Sequence, residues 1–322
     1  MARILITQRV FPEAIDRLRA AGHVVEMREA SEPISREELL RKVAEIKALV
    51  CLLTDKIDAE IIAAGPTLQI IANIAVGYEN IDVEAARAAG IVVTNTPEVL
   101  TETTADLTFA LLLAAARRIP EADAYLRCGA YQGWELIQPH LGLDVYEKTL
   151  GIVGMGRIGT AVARRGRLGF AMTVLYHDHH RNEAVEEELQ AKMVPFELLL
   201  SESDFVSIHT PLIPNTHHLF NREAFRRMKR TAILVNAARG PIVDEEALVW
   251  ALQQNEIAGA GIDVYEHEPK VHRELLTLRE RVVLLPHIGS ATEETRRAMA
   301  QIAVDNVLAV LAGEAPLNPV AL

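Results

Sequence analysis

Leu150-Gly151-Ile152-Val153-Gly154-Met155-Gly156-Arg157-Ile158-Gly159 runs directly into the helical-period segment Thr160 to Arg167. A short apolar run, a glycine turn and a helix in immediate succession open a βαβ unit that can take a pyrophosphate. Gly154 permits the tight turn, Gly156 lets backbone approach phosphate, and Gly159 lets the helix pack on the strand. The loop and first helical turn, comprising Gly154, Met155, Gly156, Arg157, Ile158 and Gly159, are therefore assigned to a dinucleotide. The next strand ends at Tyr176-His177-Asp178, with Asp178 placed 19 residues beyond Gly159. That offset suits a carboxylate that accepts hydrogen bonds from an adenosine ribose. A carboxylate there repels a 2′-phosphate, so NAD(H) is favoured; Arg181, a cation close by, leaves NADP(H) open.

Outward from the loop, strands are expected at Leu150 to Val153, Thr173 to Tyr176, Phe205 to His209, Ala232 to Val235, Ala260 to Val264 and Val282 to Leu285. Six such strands with intervening helices make a doubly wound sheet. Before them, Arg3 to Thr7, His23 to Glu26, Ala48 to Leu53, Gln69 to Asn73 and Ile91 to Thr94 alternate with helical segments, giving about five more βα units. Glu102 to Arg118 reads as a long Ala/Leu-rich connecting helix, with Thr103 and Asp106 resembling a capping box. Gly129 to Lys148 reads as loop. Glu293 to Leu311 is helical and has no strand left to cover, so it is expected to return to the first domain. The fold class is α/β: two Rossmann-like or flavodoxin-like domains with parallel sheets and a cleft between them. Residues 1–100 plus 291–322 form a discontinuous substrate domain and residues 101–290 the cofactor domain.

Composition narrows the function. The 322 residues suit two domains at roughly 150 residues each. Lys and Arg number 33 against 44 Asp and Glu, for a net −11. Nucleic-acid binding calls for a basic stripe, and the densest basic stretch, Arg226-Arg227-Met228-Lys229-Arg230, reads as one solvated face of a helix. The longest apolar runs, such as Phe109 to Ala116, fall short of the ~20 residues that span a bilayer, and Met1 to Thr7 is too short for a signal peptide. The chain reads as soluble and cytoplasmic, with no nucleic-acid or membrane partner. Cys51 reads as a small buried hydrophobe, and neither it nor Cys128 as a nucleophile. His177, His179 and His180 share one loop without a distant cysteine or carboxylate cluster to match, so no metal is assigned.

Three strands end in ionisable residues, and ligands bind at the carboxyl ends of such sheets. Arg239 follows Ala232 to Val235, Glu268 follows Ala260 to Val264, and His287 follows Val282 to Leu285. Reduction of a 2-keto acid needs a planar, permanently charged fork for the carboxylate, which Arg239 supplies. It also needs an acid that titrates near neutral pH to protonate the carbonyl oxygen, which suits His287. Glu268 would orient the imidazole and favour its charged form.

Asn73-Ile74-Ala75-Val76-Gly77-Tyr78-Glu79-Asn80-Ile81-Asp82, Thr94-Asn95-Thr96-Pro97, Gly154 to Gly159, Asn236-Ala237-Ala238-Arg239-Gly240, Gly261 to Pro269 and Pro286-His287-Ile288-Gly289-Ser290 together resemble the D-2-hydroxyacid dehydrogenase family over almost the whole chain. The similarity is greatest to its glyoxylate/hydroxypyruvate reductase branch. The resemblance implies Arg239 on the substrate carboxylate and carbonyl, His287 as acid/base and Glu268 as its partner. It implies backbone amides of Val76 and Gly77 on the carboxylate, with Leu53 and Ser290 also lining the substrate. It places Thr104 near the nicotinamide ribose and Thr210 and Pro211 at the adenine edge. The Ala237 carbonyl and Asp263 would hold the carboxamide, with His287 and Gly289 beside it. It also implies a homodimer through the cofactor domain. The branch often carries Trp-x-x-Trp near the interdomain loop; here the pattern is Trp134-Glu135-Leu136-Ile137, with Ile137 in the second position. Phosphite dehydrogenases, which are related, have a lysine where Ala75-Val76-Gly77 stands, so phosphite oxidation is not expected.

The resulting expectation is NADH-dependent reduction of glyoxylate or hydroxypyruvate to glycolate or D-glycerate. The alternatives are a reductase of another 2-keto acid, such as pyruvate or a ketogluconate, and an NADH-sensing corepressor-like scaffold. The scaffold reading would call for long disordered tails, and none is read before the last residue, Leu322.

Overall fold

The computed structural model describes residues 1–30 and 32–320. Arg3–Ile6 (β1), Val24–Met27 (β2), Ala48–Cys51 (β3), Ile70–Asn73 (β4) and Val92–Thr94 (β5) form a parallel sheet in the order β2-β1-β3-β4-β5. Both faces are covered, which is why β3, and β4 as far as Ala72, are apolar without alternation. Leu5, Leu49 and Ile71 point to one face, against Leu39, Val43, Ile57 and Ile61. Ile4, Ile6, Val50 and Ala72 point to the other, against Ala14, Ile15 and Leu18 and against Ala300, Ala303, Val304 and Val307. The last four lie on the helix Glu293–Ala312, so the final helix does return to the first sheet. Thr292 caps it by accepting from the Thr295 N–H, and Gly313 ends it at φ +82°. Cys51 is fully buried in this core.

Thr149–Val153 (β6), Thr173–His177 (β7), Lys192–Met193 (β8), Phe205–Ile208 (β9), Ile233–Asn236 (β10), Gly259–Ile262 (β11) and Val282–Leu284 (β12) form a second parallel sheet in the order β12-β11-β10-β9-β6-β7-β8. The order reverses between β6 and β9, and the crevice outside their carboxyl ends is where such sheets take ligands. The helix Thr101–Ala116 buries Ala105, Phe109, Leu111 and Leu112 with Leu150, Ile152, Ile233 and Val235. The two compact units are Met1–Leu100 with Ser290–Leu322, and Thr101–Gly289. Their boundary falls between 289 and 290, where the sequence reading put it between 290 and 291. No helix among the described residues is long and apolar enough to cross a membrane.

Two elements went unread and two local readings need correction. β8 went unread because it has only two residues, both exposed. Ile119–Arg127 is a helix ahead of the Gly129 to Lys148 segment; it follows Arg118 in a left-handed conformation and carries Pro120 in its first turn. The connecting helix begins at Thr101, so Thr103 lies inside its first turn and does not cap it. The basic stretch is not one helical face. Its helix, Arg222–Arg227, stops before the extended Met228, Lys229 pairs with Asp204 at 2.9 Å, and Arg226 stacks over Trp250.

Candidate active site

In the second unit, Gly154 sits at φ +96°, and a Cβ there would come within 2.7 Å of the His209 backbone, so the turn after β6 lies directly against the end of β9. A Cβ on Gly159 would collide with the Gly154 carbonyl, which is the close helix approach expected of the third glycine. Gly156 differs: an added Cβ would meet nothing within 4 Å. It is the N-cap of the helix Arg157–Arg164, and no side chain caps that terminus. An open face in front of uncapped helix N–H groups suits an anion, so these residues fit a dinucleotide pyrophosphate.

Asp178 follows β7, and its Oδ2 accepts the Met155 N–H at 2.6 Å, so the carboxylate stands against the glycine loop. Arg181 is engaged by Glu186, with Nε at 2.8 Å and Nη2 at 2.6 Å, while Tyr176 donates its hydroxyl to the same carboxylate at 2.8 Å. Those hydrogen bonds hold the Glu186 carboxyl below its ordinary range. Thr210 and Pro211 follow β9, and the Pro211 carbonyl accepts from the Thr216 hydroxyl at 2.7 Å. Beside them, His209 Nε2 lies 2.7 Å from Ser207 Oγ, and burial drives its pKa down to about 3.

On the far side of β9, Asn236 closes β10 and pins the next loop. Its Nδ2 donates to the Arg239 carbonyl at 3.0 Å, and its Oδ1 accepts from the Ala238 N–H at 3.1 Å, leaving Ala237 between them. Gly240 is tight against the Tyr265-Glu266 backbone, with no room for a Cβ, so the Arg239 loop abuts the loop after β11. Arg239 Nη1 donates to the Ala238 carbonyl at 2.7 Å.

His287 Nδ1 lies 2.8 Å from Glu268 Oε2, and Glu268 Oε1 accepts the Tyr265 N–H at 3.0 Å. Burial alone would raise the Glu268 carboxyl. The His287 hydrogen bond and charge, the Tyr265 N–H and the Arg239 charge outweigh it, and the group is held below its ordinary value. Asp263, fully buried, accepts the Ile288 N–H at Oδ1 and the Gly289 N–H at Oδ2, each at 2.8 Å, and its carbonyl accepts the His287 N–H at 2.9 Å. His287 itself sits at φ +53°, a left-handed conformation that these three bonds hold in place. Burial keeps the Asp263 carboxyl above its ordinary value. Gly289 packs against Asp263 and Thr104, which is itself buried.

The remaining assigned residues lie in the first unit. The Gly77 carbonyl accepts from Asn73 Nδ2 at 2.8 Å and the Val76 carbonyl from Asn95 Nδ2 at 2.7 Å. With their carbonyls tied back, neither residue's N–H has a protein partner among the described residues. Leu53 is 43% exposed, on a loop that Asn80 Nδ2 fastens through the Leu52 and Asp55 carbonyls. The Ser290 carbonyl accepts the Thr292 N–H at 2.9 Å just before the last helix.

The structure thus gathers the glycine loop with Asp178 and the end of β9, and Arg239, Glu268 and His287 with Asp263, Gly289 and Thr104. Sequence reasoning missed Asn73, Asn95 and Asn236, the amides that aim these loops. An asparagine at the end of a strand, as at Asn73 and Asn236, was the available signal.

The model of the D-isomer specific 2-hydroxyacid dehydrogenase NAD binding domain matches residues 109–289. The glyoxylate reductase of Korarchaeum cryptofilum is 50% identical over 317 residues, 98% of this chain and 95% of that protein. The TT0316 protein from Thermus thermophilus superposes with a TM-score of 0.93 at 48% identity, covering 99% of this chain and all of that one. An NADPH-dependent glyoxylate/hydroxypyruvate reductase from Sinorhizobium meliloti, in complex with NADP and malonate, superposes with a TM-score of 0.86 at 35% identity, covering 99% of this chain and 96% of that one.

Proposed function

The chain belongs to the D-isomer specific 2-hydroxyacid dehydrogenase family, and from that premise we propose that it reduces glyoxylate, and hydroxypyruvate beside it, to glycolate and D-glycerate with NADH in the cytoplasm. The observation that carries this reading is the 2.8 Å contact between Glu268 and His287 at the carboxyl end of the sheet.

The reduced nicotinamide, when bound, supplies the hydride that goes to the substrate's carbonyl carbon. Everything else falls to the chain. Arg239 holds the carboxylate with its planar fork and polarises the neighbouring carbonyl. The N–H groups of Val76 and Gly77 take the same carboxylate, Leu53 walls the substrate and Ser290 lines it. His287, whose Nδ1 faces Glu268, delivers the proton from Nε2 to the developing alkoxide and is then reprotonated from solvent. Glu268, whose Oε2 lies 2.8 Å from His287 Nδ1, fixes the orientation of the imidazole. Asp263 keeps the His287 turn in position, and the Ala237 carbonyl and Thr104 complete the nicotinamide side.

The preference for NADH over NADPH rests on Asp178 against the glycine loop and on Arg181, whose charge Glu186 already engages. The proposed homodimer rests on an exposed apolar arm of the cofactor-binding unit, where Trp134, Leu136 and Ile137 are 76%, 79% and 82% exposed.

The reading is tested by NADH oxidation against a panel of 2-keto acids for the wild type, His287→Ala and Arg239→Ala. Turnover of glyoxylate by the wild type, lost in both variants, is expected. Binding of NADH without turnover of any member of the panel would overturn it.

A further inference from the structure

His217 and His218 lie on the connection between β9 and the helix Arg222–Arg227, and Glu266 lies on the loop after β11. One ligand atom from each of the three comes within 4.8 Å of the others. His218 Nε2 is 2.7 Å from Glu266 Oε1, and the two imidazoles stack with centroids 4.0 Å apart.

The cluster is held from behind. The His217 N–H donates to the Ile213 carbonyl at 3.1 Å and the His218 N–H to the Pro241 carbonyl at 2.8 Å, so both histidines have fixed backbones. Thr216 ties the same turn through its hydroxyl to the Ile213 N–H at 2.8 Å. Glu266 and Glu245 bind each other reciprocally: the Glu266 N–H donates to Glu245 Oε1 at 2.7 Å, and Glu266 Oε2 accepts the Glu245 N–H at 3.3 Å. Glu266 therefore has one oxygen oriented by backbone and the other facing the histidines, as in metal-binding carboxylates whose free oxygen is steadied by a hydrogen bond.

We propose that His217, His218 and Glu266 form a binding site for a transition-metal dication, zinc being the representative ion, with the fourth position left to water. Two imidazole nitrogens and one carboxylate oxygen suit zinc and disfavour calcium or magnesium, which take oxygen ligands. The ion inserts between His218 Nε2 and Glu266 Oε1, and any proton they share leaves to solvent. Binding opens that contact to the spacing of two ligands on one ion and draws the His217 nitrogen, within 4.8 Å of the other two ligand atoms, onto the same centre. Bound zinc would clip the connection after β9, which starts at Thr210 and Pro211, to the loop that carries Glu268 two residues beyond Glu266. Its primary effect is on stability, because an ion that binds only the folded chain raises the folded fraction by mass action.

The test uses the untagged, metal-stripped full chain, titrated with zinc by calorimetry, with melting temperature followed in parallel. One zinc per chain at micromolar affinity or tighter, with a rise in melting temperature, is expected. His217→Ala removes an exposed ligand with little structural role and should weaken binding at least about tenfold and abolish the thermal shift; His218→Ala should do the same. His287→Ala, which removes a carboxylate-paired imidazole outside the cluster, should retain the zinc. Absence of stoichiometric zinc binding, equal binding by wild type and His217→Ala, or loss of the zinc in His287→Ala instead would each overturn the site. None of these readouts depends on the substrate.

Discussion

Glu268 Oε2 stands 2.8 Å from His287 Nδ1, and both side chains remain about 30% exposed, so the pair is anchored in protein yet reachable by a ligand. The Glu268 carboxyl is held low despite the cost of its burial, so it is charged throughout the neutral range. Glu268→Gln keeps the shape and one hydrogen bond but removes the charge. We expect kcat to fall about 10- to 100-fold, short of the about 10²- to 10⁴-fold loss for His287→Ala, with substrate KM changing little. The sign for stability follows from the lowered value: the pair's contribution is present above the ordinary glutamate range and disappears as pH falls through the folded-state value. Steady-state kinetics and acid titration of both variants check this.

Asp263 spends its two carboxylate oxygens on two N–H groups, those of Ile288 and Gly289. Asp263→Asn retains one acceptor and turns an NH₂ toward the other donor, which leaves a buried N–H unpaired at a cost of about 1–3 kcal/mol. The strained His287 turn should relax, lowering kcat well before global unfolding. A kcat loss at a temperature where circular dichroism is still native is the expected result. Native kcat in this variant would sink the positioning role.

The apolar strands were legible because both faces of each parallel sheet are buried, so Leu49, Val50, Ile70 and Ile71 read as uninterrupted hydrophobic runs. The glycine loop was legible because three different demands fall on three residues in fixed spacing: a positive φ and close contact at Gly154, a close helix approach at Gly159, and an open face at Gly156. Lys192–Met193 was not, since a two-residue exposed edge has no pattern to read. Arg239, Glu268 and His287 could be picked from their places after strands, and Glu268 as the partner of His287, but the contacts that fix their loops could not. The hold of Asp263 on the Ile288 and Gly289 N–H groups crosses 25 and 26 residues, and the approach of Gly240 to Tyr265 joins two loops. The same limit hid the meeting of His218 with Glu266 across 48 residues.

Cofactor choice should respond to Glu186 through Arg181, the residue it holds. Glu186 engages Arg181 through both Nε and Nη2, so Glu186→Gln releases a guanidinium one loop away from Asp178. We expect kcat/KM with NADPH to rise several-fold while that with NADH stays near wild type. Asp178→Asn, which keeps an acceptor for the Met155 N–H while removing the repelling charge, should narrow the preference further, and the double variant most of all. An unchanged NADPH to NADH ratio in all three would remove Asp178 and Arg181 from cofactor selection.

Acid stability singles out His209. Burial drives His209 to about 3, so it is neutral wherever the protein works and cannot serve as the proton donor. Its folded-state value lies below that of an unfolded histidine near 6.5. Stability from this group is therefore complete above about 6.5 and is lost as pH falls toward 3, because the unfolded chain takes up a proton the folded chain refuses. One group contributes at most about a tenfold change in the folding constant per pH unit over that window. His209→Gln keeps a polar partner for Ser207 and should flatten this part of the acid-stability curve, while leaving the pH profile of kcat in place. Urea titrations from pH 4 to 7 on wild type and variant measure the difference. A wild-type slope identical to that of His209→Gln would show that the imidazole takes up its proton without unfolding the chain.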